Sequence, residues 1–268
     1  MDKPTMFEPY PAGPDIDVLP SYFPIPGMGI LPINAFVLKA AEPVLVDTGQ
    51  PLLREEFLPQ LSSVINPTDL RWLWLTHVDP DHTGSLYRLL EEAPNLRVVT
   101  TFISLGKLSV TRPLLLDRVY LLNPGQSFSV GDRTLTAVRP PTFDAPESTG
   151  FYDPKSGALF SADSFGALMS EPAGRAADIG AEDLRKGLVT WTTLDSPWLH
   201  MIEPARFADT LDRIRTMAPQ VILSSHLPMA ENMNEQLLRH LASARTAEPF
   251  VGFDQAGLEA LLSKAATG

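Results

Sequence analysis

Cysteine is absent from all 268 residues. That single absence excludes disulfides, thiolate zinc sites, cysteine-held iron–sulfur clusters and thiol nucleophiles. Any metal must be held by histidine and carboxylate. Basic charge is scarce too: 21 Lys and Arg against 32 Asp and Glu leave a net charge of −11. The longest basic clusters are pairs such as Arg185–Lys186, which disfavours a nucleic-acid partner. No run of eighteen apolar residues occurs, so no segment is expected to span a membrane. Residues 28–47 come closest, but Lys39, Glu42 and two prolines interrupt them. The N-terminal MDKPTMFEPYPAGPD has no basic region ahead of an apolar one, so it does not read as a secretory signal, and a cytoplasmic location is expected. A P-loop, a Rossmann glycine fingerprint and a G-x-S-x-G elbow are all missing.

What is present is proline, 26 residues of it, roughly twice average usage and scattered singly. This pattern predicts many defined loops. Hydrophobic residues at 44% and charged residues at 20% are ordinary for a globule with a real core. The length suits one layered α/β domain, read here as residues 1–268, with residues 1–20 as an extended surface arm. Short strands are predicted at 33–38, 43–47, 70–76 and 96–101, with helices at 51–64 and 84–92 between them. The middle is β-rich, with strands at 118–122, 126–130, 133–138, 149–152 and 158–161 separated by turn signals. Helices return from 180, including 203–217, 234–245 and 254–266, around a buried strand at 220–226 that ends on a histidine. Two sheets face to face with helices outside would bury all of these apolar faces.

Two of the five histidines, His77 and His82, share one loop with Asp79 and Asp81 as H-x-D-x-D-H. The loop follows a buried strand and precedes a helix. The strand fixes its root, and the short spacing lets the ligands fan out without a long tether. Carboxylate and imidazole together suit divalent first-row metals. An isolated D-x-D-H would more often be a solvated helix-capping turn, but the full pattern at this junction favours metal. His240, beside Arg239 on a helix, reads as a surface residue, and His200 as structural. Trp191, Trp198 and Phe207 read as core that could also wall a cavity.

The order of pieces resembles the metallo-β-lactamase superfamily. They are Asp47-Thr48-Gly49, Thr76–Gly84, Ser161-Ala162-Asp163 and Ser225-His226, covering roughly residues 30–230. Hydrolases of that superfamily carry histidine where this chain has Asp79. The di-iron branch, which comprises flavodiiron proteins and stand-alone oxygen-binding di-iron proteins, carries a carboxylate there. FDAPESTGFYD (143–153) and LFSADSFG (159–166) are similar to segments of that branch. The resemblance implies an αββα sandwich in which His77, Asp79 and Asp144 hold one metal. Asp81, His82 and His226 hold the other, and Asp163 bridges. Asp79 is one methylene shorter than the branch's glutamate, and Asp144 stands where histidine is usual. Asp47 is expected either to orient the metal loop by hydrogen bonding or to be a simple turn residue, and Glu147 is a candidate support for Asp144.

Four aspartates and two divalent ions would balance in charge, and so hard a ligand set suits Fe, or Mn, better than Zn. The resemblance therefore implies a di-iron oxidoreductase that binds or activates dioxygen, with Asp81 and Asp163 closest to the chemistry. Electrons would come from a small-molecule substrate or a separate reductase, because the chain is expected to carry no flavin domain. Without turnover it would be an oxygen carrier or sensor with a signalling partner. A homodimer is left open. The rival reading is a metal-dependent hydrolase of an ester, lactone, thioester or phosphodiester, in which Asp81 would orient a metal-bridging hydroxide.

Overall fold

The computed structural model describes residues 3–267, with side chains through residue 263. Strands β1 (Thr5–Met6), β2 (Tyr10–Pro11), β3 (Ile16–Ile25), β4 (Gly29–Leu38), β5 (Val44–Val46), β6 (Trp72–Trp74), β7 (Arg97–Thr100) and β8 (Val119–Leu121) make one sheet. Its order is β1-β3-β4-β5-β6-β7-β8, with β2 also pairing with β3. Strands β9 (Ser127–Ser129), β10 (Thr134–Val138), β11 (Gly150–Asp153), β12 (Ala158–Phe160), β13 (Val221–Leu223) and β14 (Ala230–Glu231) make a second, in the order β14-β13-β12-β11-β10-β9. The pairs β5–β6, β6–β7, β7–β8 and β12–β13 are parallel, so each needs a long crossover. Helices α1 (Arg54–Val64), α2 (Pro80–Thr83), α3 (Leu86–Glu92) and α4 (Phe102–Thr111) lie in the crossovers of the first sheet. Helices α5 (Ala181–Asp195) and α6 (Pro204–Met217) lie in that of the second, with α7 (Asn234–Ala244) and α8 (Gln255–Thr267) following β14.

Strand alternation assigns each side chain to a layer. Val44 and Val46, with Trp72 and Trp74, point between the sheets and meet Phe128, Phe151, Phe160 and Leu223. Phe151 stacks on Phe160 at 4.2 Å between ring centroids and lies 4.6 Å from Trp74. Leu45, Leu73 and Val98 point the other way, onto Phe57 and Leu61 of α1, Leu86 and Leu89 of α3 and Leu108 of α4. On the far side Leu159 and Ile222 pack against Leu188 of α5, Leu211 of α6 and Leu238 of α7. The result is the expected four-layer αββα sandwich. Both sheets direct the C-terminal ends of their parallel strands to one edge. Asn34 of β4 sits at that edge, and its Nδ2 donates to the carbonyls of Ser224 (3.0 Å) and Leu227 (2.8 Å) beyond β13.

Two expectations need correction. The surface arm does not extend to residue 20: β3 begins at Ile16 and pairs with β4 over ten positions, burying Val18 and Leu19. Asp15, just before it, is tied to Arg133 at 2.5 Å. Helix α4 is absent from the sequence reading, and residues 77–84 include the short helix α2 instead of being all loop. No described helix is long and apolar enough to cross a membrane.

Candidate metal centre

The metal loop is built on the Asp47–Gly49 turn. Asp47 follows β5 with φ 58°, a left-handed conformation that Asp tolerates better than most residues. Thr48 N and Oγ1 both donate to the His82 carbonyl, at 2.8 and 3.0 Å. Gly84 N donates to Gly49 O at 2.7 Å. A Cβ on Gly84 would lie 2.4 Å from that oxygen, so only glycine permits this approach. The loop is thereby clamped against the turn at the C-terminal end of α2.

Hydrogen bonds then fix the three imidazoles. The Asp47 carboxylate accepts from Thr76 N (2.9 Å) and Thr76 Oγ1 (2.8 Å), and lies 2.8 Å from His82 Nδ1. A carboxylate accepts only, so Nδ1 of His82 carries the proton. With its own proton on Asp47, Thr76 Oγ1 can only accept from His77 Nδ1, 3.1 Å away. His226 Nδ1 donates to the Pro32 carbonyl at 2.7 Å. All three rings therefore keep their Nδ1 protons engaged and direct Nε2 inward, the arrangement that prepares imidazole to ligate.

Between the three Nε2 atoms sits Asp163. Its Oδ1 is 3.2 Å from His82 Nε2 and 3.2 Å from His226 Nε2, and its Oδ2 is 3.3 Å from His77 Nε2. Even so, Asp163 Oδ1, His77 Nε2 and His82 Nε2 are buried without a hydrogen-bond partner. Orphaned buried donors and acceptors of this kind are costly unless something completes them. Asp163 lies on a tight turn whose Ala162 (φ 51°) and Phe165 (φ 68°) are left-handed, a conformation stored where geometry is dictated. Gly166 completes that turn. A Cβ there would lie 2.5 Å from Trp191 Nε1 and 2.8 Å from His226 Cβ.

The remaining carboxylates close two pockets. His77, Asp79 and Asp144 bring one ligand atom each to within 4.8 Å of one another, as do Asp81, His82 and His226, and His77, His82 and Asp163. The structure thus brings together the seven residues named from the sequence. The side chains of Asp81 and Asp144 keep 29% and 30% exposure, which marks the solvent side. Electrostatics report how tightly the charges are packed. Burial alone would pull the histidines down, but the carboxylates outweigh it: His77 is raised by Asp163, His82 well above its ordinary value by Asp81 and Asp163, and His226 up to about 9. Burial would conversely raise Asp163 and Asp81, but the facing histidines hold both below the usual carboxylate range. A pair of divalent cations would take over the role these protons fill.

Sequence reasoning missed Asp195. It ends α5, is 8% exposed, and brings a carboxylate oxygen within 4.8 Å of ligand atoms of Asp144 and Asp163. Burial first, then those two carboxylates, push it up to about 8. Trp191, one turn earlier, walls the centre. Its Nε1 donates to Asp163 O at 3.1 Å, and its ring lies 4.6 Å from that of His226. Phe207 is core, and Trp198 donates to Phe143 O at 2.7 Å. Glu147 does not support Asp144; it is fully buried and pairs with Lys107 at 2.5 Å. Asp47 takes the orienting role of its two readings. His240 is half-buried on α7, with burial and Arg185 lowering its pKa, so it is not the open surface residue expected.

A family described as ODP family beta lactamase matches residues 31–226. The chain belongs to that family. The nitric oxide reductase of Moorella thermoacetica is 26% identical over 194 residues, which are 69% of this chain and 47% of that protein. The flavo-diiron protein FprA2 of Clostridium acetobutylicum is 29% identical over 143 residues, 52% of this chain and 35% of that one. Among solved structures, the rubredoxin oxygen:oxidoreductase of Desulfovibrio gigas superposes with a TM-score of 0.79 at 19% identity, over 91% of this chain and 63% of that one. The flavodiiron protein of Giardia intestinalis gives 0.76 at 18% identity, over 91% and 60%. The chain spans about half or less of the length of these curated relatives. The fold is thus shared with both solved structures.

Proposed function

We propose that this chain is a non-haem di-iron oxidoreductase that acts on a small oxidant, dioxygen or nitric oxide, with electrons from a separate donor. The observation that carries the reading is the convergence of three Nδ1-protonated imidazoles on a buried carboxylate whose Oδ1 has no partner. His77, Asp79 and Asp144 would hold one ion, Asp81, His82 and His226 the other, and Asp163 both. Four aspartates offset the charge of two divalent ions, and so oxygen-rich a set favours iron or manganese over zinc. Two ferrous ions bound there would supply electrons to the oxidant.

The protein's own part is positional. Asp47, through Thr76 and His82, keeps the Nε2 lone pairs aimed. Trp191 excludes water from the side of Asp163 and His226. Asp81, with its side chain partly in solvent and 3.5 and 3.6 Å from the Nε2 atoms of His82 and His226, stands between water and the centre and stays ionised there. The anionic ligand at Asp79 lowers the Lewis acidity that hydrolysis needs. The names of the relatives point the same way, one as a nitric oxide reductase and another as an oxygen oxidoreductase.

The test is to load the protein with ferrous iron without air and then admit dioxygen or nitric oxide while recording the visible spectrum. A rapid change with either gas supports the reading. A diferrous sample inert to both overturns it, as does turnover of a lactone, thioester or phosphodiester at an enzymic rate by the zinc- or manganese-loaded protein.

A further inference from the structure

Asp195 is not part of the ligand set that the sequence pattern supplies, and its surroundings do not explain it as a structural residue. Its Oδ2 accepts one hydrogen bond, from Ser196 Oγ at 3.1 Å. Among the described residues no Lys or Arg pairs with it, although it is 8% exposed. It sits at the C-terminal end of α5, where the helix dipole disfavours a negative charge. Its neighbours on the open side are two further carboxylates, Asp144 and Asp163. Asp195 is thus buried beside the buried Asp163 and the partly exposed Asp144 with no Lys or Arg to offset it, an arrangement that calls for a cation.

A second observation points into the same space. His77 Nε2 is buried without a hydrogen-bond partner and faces Asp163 Oδ2 at 3.3 Å and Asp144 Oδ1 at 4.0 Å. Asp163 Oδ1 is likewise buried and unpartnered. The placement of Asp195 follows from the docking of α5. Trp191, one helical turn before it, is bonded to Asp163 O and packed on His226, so the helix end cannot drift from the centre.

We infer that Asp195 is a further metal ligand, completing the pocket of His77, Asp79 and Asp144 from the α5 side. This inference rests on the two-metal reading above. The first pocket has one imidazole where the second has two, and Asp144 reaches it from a partly exposed loop. A carboxylate on a rigid helix end supplies the anchorage that the loop residue lacks. With Asp195 included, five aspartates surround the pair, so the set carries one more negative charge than two divalent ions neutralise.

The test uses zinc as the probe, with the full chain and its Asp195→Asn variant. Asparagine keeps the volume and can still accept from Ser196. Stepwise titration against a chromophoric chelator should show two ions in the parent protein. In the variant the weaker affinity should fall tenfold or more while the tighter one holds. Zinc-edge anomalous maps of the parent protein provide a second readout that does not depend on the variant folding. Asp195 oxygen at about 2.0–2.2 Å from an ion supports the inference. Both affinities unchanged within twofold, or an Asp195 oxygen farther than about 3.5 Å from either ion, overturns it and leaves the two-metal reading standing. Uptake of less than one ion by the parent protein overturns both.

Discussion

Asp47→Asn is a change of one atom with an outcome dictated by hydrogen-bond direction. The native carboxylate forces the His82 proton onto Nδ1, 2.8 Å away, and leaves Nε2 free to face Asp163. An asparagine can still accept from Thr76 N with its carbonyl oxygen. Its amide nitrogen, however, now donates toward His82 Nδ1, so the ring takes the other tautomer and places a proton on Nε2. That proton points at the position the proposed metal would occupy. Lost orienting partners of metal-bound histidine cost about 10–100-fold in affinity, equivalent to about 1.4–2.8 kcal/mol. Asparagine tolerates the left-handed backbone of residue 47, so little backbone strain is added. Asp47→Ala would lose the orientation as well, and a residue less suited to φ 58° should also cost about 1 kcal/mol of fold stability. The assay is a chelator competition with Zn(II) or Mn(II), paired with urea unfolding of the metal-free proteins. Affinity of Asp47→Asn within twofold of the parent protein would refute the tautomer argument.

Other outcomes follow from the same geometry. In metal-free protein the raised pKa of His226, about 9 against an ordinary 6.5, contributes stability fully present below about pH 6.5 and lost as pH rises through 9. The buried Asp195, raised to about 8, acts in the same direction, so urea midpoints measured with chelator should fall between pH 6.5 and 9.5; a flat profile contradicts this. Metal affinity should move the opposite way and rise over that window, because binding displaces the imidazole protons. Asp163→Asn should reduce metal content from two ions to one or fewer by elemental analysis, and two ions retained at parental affinity would remove the bridging role. Phe151→Ala, fully buried between Phe160 and Trp74, should cost about 3–5 kcal/mol in urea unfolding without altering metal stoichiometry.

The legible parts of this protein are the local ones. H-x-D-x-D-H shows itself because its four candidate ligands lie within six residues at a strand–helix junction, where spacing alone constrains geometry. The apolar strands 72–74, 158–160 and 221–223 are short runs with clear ends, so the residues at their C-terminal tips could be named before any coordinates. Asp144, Asp163 and His226 came from a resemblance in the order of pieces, because each reaches the centre only when two sheets pack. Asp195 carries no sequence signal: it reads as an ordinary polar helix end ahead of Ser-Pro, and only the docking of Trp191 buries it. Strand β3 was hidden because residues 1–20, rich in proline, read as a surface arm, and it declares itself only through its ten-pair register with β4. Helix α4, FISLGKLSVT, contains Gly106 and β-branched residues of weak helix propensity, and its place between two parallel strands overrides that.

Anomalous scattering at the iron edge, from crystals of protein loaded with ferrous iron, tests the central claim most directly. Two iron peaks are expected, one against His77, Asp79 and Asp144, the other against Asp81, His82 and His226, with Asp163 between them. A single peak, or none at full loading, would contradict it.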